Sequence, residues 1–217
     1  MANRTLYLGG TFNPVHIGHT RLALECHLHT GAEVVFVPCA DPPHKATPLI
    51  ASDHRLAMLR LAIDELNATV TGRPVFQLDL HEIERGGYSY TVDTLSFLRQ
   101  SQPHAVLVWV IGMDSLVNLN SWHRWHELTD FANLLVIDRP GWQKPAVGAV
   151  AEWLRGRECA AEQFSVSGGV AFLTTTPVSV SSSELRQQMA QGMPAKYLVP
   201  EPVDAYIRAH QLYLSIN

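Results

Sequence analysis

The sequence predicts a doubly wound α/β fold with a mostly parallel sheet, as a single domain over residues 1–217 with a small helical part at the C-terminus. Three observations carry that reading. Strand-like and helix-like stretches alternate along the chain. Residues 105–111 (AVLVWVI) and 134–138 (LLVID) are continuous apolar runs, the pattern of parallel strands covered on both faces. And 217 residues are enough for one sizeable core.

Taken in order, residues 5–8 (TLYL) read as a first short strand, and residues 20–28 as an apolar helix-like run that begins at His16 and His19. Residues 33–38 (EVVFVP) read as a second buried strand. Residues 52–66 have helical apolar spacing, with Ser52 or Asp53 placed to cap the start. A third strand is expected at 75–80, a helix at 91–99, central strands at 105–111 and 134–138, and a further strand at 170–174. Helices are expected at 182–191 and 203–210. Residues 140–169 give the faintest pattern. Every polar motif follows a strand, and ligands of such sheets bind beyond the strands' carboxyl ends.

Lys plus Arg (16) against Asp plus Glu (20) gives a net charge of −4, which argues against a broad nucleic-acid-binding surface. Cys26, Cys39 and Cys159 are scattered without a CxxC pair, as in a reducing compartment. The N-terminus leads straight into a strand, and no apolar run is long enough to span a bilayer. The expectation is a soluble cytoplasmic protein with no membrane or nucleic-acid partner. Oligomeric state is left open, a homo-oligomer included.

The densest motif is residues 9–19, GGTFNPVHIGH. Gly9 and Gly10 let backbone N–H groups approach a ligand, and the helix start after them adds unpaired donors and a positive dipole end. His16 and His19, at i and i+3, share one side of the first turn. The construction suits a phosphate chain. It is neither a Walker A loop nor a G-x-G-x-x-G turn. The alternatives are an ordinary strand–turn–helix with surface histidines, or a zinc pair lacking further ligands at a suggestive spacing. Residues 181–186 (SSSELR) begin another helix, where Ser182, Ser183 and Arg186 offer hydroxyls and a forked cation to phosphate; alone, they describe a capped helix with an exposed arginine. Residues 41–45 (DPPHK) form a stiffened loop presenting His44 and Lys45, a pattern that solvated charge would also produce.

The form Gly-x-Phe-x-Pro-x-His-x-Gly-His resembles the signature of the paired-histidine adenylyltransferases, and SSSELR resembles their second signature with Ser183 in place of Thr. PPHK after the second strand, residues 86–95 (GGYSYTVDTL) and residues 111–122 (IGMDSLVNLNSW) resemble the bacterial nicotinate mononucleotide adenylyltransferases. Residues 199–207 (VPEPVDAYI) add weaker support, so the match spans most of the chain in the family's order. Asn13 stands where many bacterial members have Asp, so position 13 is given no metal or base role.

The resemblance implies a Rossmann-like nucleotidyltransferase fold and the reaction of ATP with nicotinate mononucleotide to give deamido-NAD and pyrophosphate, a step in NAD biosynthesis. It implies ATP contacts at Gly9, Gly10, Thr11, Phe12, His16, Gly18, His19, Gly112, Asp114, Arg139, Ser182, Ser183 and Arg186. His16, His19 and Arg186 would act on the transferring phosphate. Nicotinate mononucleotide would meet Gly10, Thr11, His44, Lys45, Tyr90, Thr91, Asp93, Trp122 and His123, with Trp122 stacking on the pyridine. The attacking phosphate is already largely dianionic at pH 7, so no strong base is needed. Mg²⁺ is expected, held mainly by substrate phosphates and waters, with no protein metal cage. Rival readings are a related transferase acting on nicotinamide mononucleotide, phosphopantetheine or a cytidylyl acceptor, a nucleotide-binding module without turnover, and a histidine-rich metal binder.

Overall fold

The computed structural model describes residues 4–40 and 50–214. The chain runs β1 (Arg4–Gly10), α1 (Ile17–Thr30), β2 (Glu33–Pro38), α2 (Ser52–Ala68), β3 (Phe76–Leu78), α3 (His81–Arg85), α4 (Thr91–Ser101), β4 (Val106–Gly112) and α5 (Met113–Val117). It continues through α6 (Leu128–Phe131), β5 (Asn133–Ile137), α7 (Ala149–Leu154), β6 (Val170–Leu173), α8 (Ser182–Ala190) and α9 (Glu201–Ala209). Every pairing in the sheet is parallel, and the strand order is β3-β2-β1-β4-β5-β6.

The doubly wound expectation holds, and its physical cause is visible in the strands. Successive side chains of β1 enter opposite layers. Leu6 and Leu8 join Val34, Phe36, Val108 and Val110 against α1, α2, α8 and α9. Tyr7 joins Val35, Leu107, Trp109 and Ile111 against α4, α5 and α7. Both faces are covered, so neither can alternate with polar residues. The chain moves outward from β1 to β3, then returns to place β4 on the other side of β1. That reversal opens a crevice at the carboxyl ends of β1 and β4.

Several boundaries differ from expectation. α2 begins at Ser52 with Ala51 in the cap position and no side-chain cap, so neither Ser52 nor Asp53 caps it; Asp53 sits in the first turn, where its charge suits the helix dipole. β3 keeps only three residues at the sheet edge. α3, α5 and α6 are too short to show a helical period, and α7 lies inside the stretch whose pattern was faint. No helix among the described residues is long and apolar enough to cross a membrane.

Candidate active site

A crevice of 530 Å³ opens over the ends of β1 and β4. Its floor is glycine by necessity. A Cβ on Gly9 would stand 2.4 Å from the Trp109 ring, and one on Gly112 would stand 2.4 Å from Asp114 Oδ1. Gly18 has the same logic, since a Cβ there would lie 3.0 Å from the His16 ring.

Phe12 turns the chain with φ +48° and is buried, its ring edge-on to Phe36 and to His19 at 5.0 Å. After the cis Asn13–Pro14 peptide, His16 takes the N-cap position of α1. Its backbone N–H donates to His19 Nδ1 at 3.2 Å, so a neutral His19 carries its ring proton on Nε2. The two imidazoles lie 3.8 Å apart at 32°. His16 is buried, and among the described residues its Nδ1 has no hydrogen-bond partner. Burial, with the Arg139 cation nearby, pushes its pKa down to about 4. At neutral pH the pair therefore contains a neutral His16.

The start of α8 closes on the same loop. Ser181 caps the helix by accepting from the Glu184 N–H, and Ser182 Oγ donates to Pro14 O at 3.0 Å. Arg186 donates to Asn13 O at 2.7 Å and to Ser183 Oγ at 3.3 Å. Asn13 is buried, and its Oδ1 accepts from the Tyr213 hydroxyl at 2.8 Å. Position 13 is thus a junction between the loop, α8 and the C-terminal turn.

Gly9, Gly10, Thr11, Phe12, His19, Thr91, Gly112, Asp114, Trp122, Arg139 and Ser182 all line the crevice. Asp114 and Arg139 do so as a pair, 2.7 Å apart. His16, Gly18, Ser183 and Arg186 are not among the lining residues; the His16 ring lies 3.8 Å from that of the lining residue His19, and Arg186 holds the exposed Ser183, next to the lining residue Ser182. Tyr90 and His123 form a tilted ring pair at 4.5 Å beside Thr91 and Trp122. Asp93 points elsewhere, toward Arg85 at 3.9 Å and Arg124 at 3.6 Å. His44 and Lys45 lie outside the described residues.

Three residues absent from the sequence expectation also shape the site. Glu82 is buried in the crevice wall, accepts from Thr94 Oγ1 at 2.5 Å, and has its pKa raised by burial. Ser89 Oγ accepts from the Ala40 N–H at 3.1 Å. Arg55 is buried beneath Thr11. Ser89 lies within the 86–95 motif, and Arg55 shares a helical stripe with the buried Leu59, Ala62 and Leu66; Glu82 left no such signal.

Comparison with known proteins places this geometry. The sequence model of the Cytidylyltransferase-like family matches residues 7–188. A protein of Hahella chejuensis, named "Probable nicotinate-nucleotide adenylyltransferase", is 40% identical, with 97% of this chain and 95% of that one covered. One of the same name from Aeromonas salmonicida is 42% identical, with 95% of each covered. The Plasmodium falciparum nicotinic acid mononucleotide adenylyltransferase complexed with NaAD shares the fold, with a TM-score of 0.74 at 16% identity and 97% of both chains covered. The chain belongs to the Cytidylyltransferase-like family, and within it to the nicotinate-nucleotide adenylyltransferases.

Proposed function

We propose that the chain transfers AMP from ATP to nicotinate mononucleotide, giving deamido-NAD and pyrophosphate. The observation that carries this reading is the meeting, at one sheet reversal, of a phosphate-type loop with the tilted ring pair His16 and His19 and a flat aromatic wall at Trp122. The relatives' names support the same reaction.

The chemistry asks for alignment and charge stabilisation rather than a nucleophile from the protein. ATP would lie over Gly9–Gly10, with its phosphates toward the start of α1. His19 would donate from Nε2, and the partnerless Nδ1 of His16 gives that ring a polar atom still to be satisfied. Ser182, Ser183 and Arg186 would meet the leaving pyrophosphate from the α8 side. Asp114 would accept from ribose or base, with Arg139 holding its other oxygen. On the acceptor side, Thr91 at the start of α4 and His123 offer N–H donors to the pyridine carboxylate, and Trp122 offers its face. Mg²⁺, when bound, would neutralise charge on the departing pyrophosphate. Such an ion would be carried mainly by substrate oxygens and waters.

Pyrophosphate release from ATP and Mg²⁺ tests the reading, with nicotinate mononucleotide compared against its nicotinamide analogue. Fast release with the acid and little with the amide is expected. Equal rates would remove the acid-specific part, and no release with either would remove the activity.

A further inference from the structure

Arg55 is a cation on an apolar helix stripe, only 2% exposed. Its Nη1 donates to Thr11 O and to Cys39 O, each at 2.9 Å, and its Nη2 to Ala40 O at 3.3 Å. Thr11 follows β1 in the nucleotide loop; Cys39 and Ala40 follow β2. One guanidinium therefore ties together three carbonyls from two adjacent strand ends. The same junction is closed from other sides, because Cys39 N–H donates to Gly10 O at 2.9 Å and Ala40 N–H to Ser89 Oγ. Ser89 precedes α4, which brings Thr91 to the crevice.

Among the described residues, no carboxylate pairs with Arg55, and its Nε has no partner. Burying such a charge costs several kcal/mol, in general terms, unless geometry repays it. Packing alone would be served by Met or Leu. What an apolar side chain lacks, and a lysine ammonium cannot reproduce, is a planar fork reaching carbonyls in different directions.

We infer that Arg55 is a positioning residue for the transfer reaction, holding the Thr11 loop and the Cys39–Ala40 segment at the separation that aligns the two substrates. The inference rests on the proposed activity. In such a role the fork matters to kcat more than to the affinity for either substrate alone.

The test measures steady-state kinetics and thermal melts for the wild type, Arg55→Met, Arg55→Lys and Arg55→Ala. Arg55→Met should lose about 100-fold in kcat, with both KM values within about threefold, as expected for small misplacement of reacting groups. Arg55→Lys should remain at least about 10-fold below the wild type despite keeping its charge. Millimolar guanidinium should raise the turnover of Arg55→Ala and leave that of Arg55→Met unchanged. An unaltered kcat per folded molecule in Arg55→Lys, with only the melting temperature lowered, would overturn the inference. So would failure of both Arg55→Lys and Arg55→Met to fold, since the residue would then serve stability. A wild type that releases no pyrophosphate would instead strike the activity on which the inference stands.

Discussion

The two walls of the crevice are built on different principles. The proposed phosphate wall, from Gly9 to His19 with the start of α8, is a web of short polar contacts: His16 to His19, Ser182 to Pro14 O, Arg186 to Asn13 O. The proposed acceptor wall presents Thr91 and Trp122 to the crevice with the Tyr90–His123 ring pair beside them, so it is mainly aromatic, and Asp93 is ion-paired with Arg85 and Arg124. Hydrogen bonds fix direction and distance, whereas stacked rings tolerate sliding. The first wall suits a reacting centre in which sub-ångström placement matters, the second a recognition surface for a flat ring.

Three measurements would break or sharpen that contrast. The largest effect belongs to the polar wall. His19→Ala removes both the proposed phosphate donor and the acceptor for the His16 N–H, and kcat/KM should fall about 100- to 1,000-fold. A loss of less than about tenfold would place the charge stabilisation elsewhere.

The second concerns pH. His16 has a folded pKa of about 4 against 6.5 for the free side chain, so below pH 6.5 the unfolded state takes up a proton that the folded state refuses. Stability from this group is fully present above pH 6.5 and drains away as pH falls toward 4. The amount is on the order of 3 kcal/mol. Denaturant titrations across that window should show the wild type losing more than His16→Gln by about this amount. Parallel curves would mean that His16 titrates normally.

The smallest effect belongs to the aromatic wall. Trp122→Ala should raise the KM for the mononucleotide about 3- to 10-fold, the range of one aromatic contact, with the KM for ATP unchanged. A turnover rate lowered about 100-fold would show that this wall, too, positions the reacting atoms.

The strands and long helices were legible in the sequence because their apolar residues repeat. β2 occupies the expected residues 33–38, and α4 starts at the expected Thr91. The loop of residues 9–19 was legible because it is contiguous. What could not be read were contacts between distant segments. Glu82 lies on a five-residue helix with no period to betray it, and its partner Thr94 is on another helix. Asn13 resembles any turn asparagine until Tyr213 and Arg186 are seen to converge on it. The ion pairs of Asp93 with Arg85 and Arg124 join segments that no periodicity links.

The bond between Asn13 and Tyr213 spans 200 residues. A ribosome delivers a chain N-terminus first, at roughly 5–20 residues each second. Asn13 therefore emerges on the order of 10–40 seconds before Tyr213. Over that interval the nucleotide loop after β1 exists without this contact, and α8 and the C-terminal turn must both be made before the junction at position 13 can close.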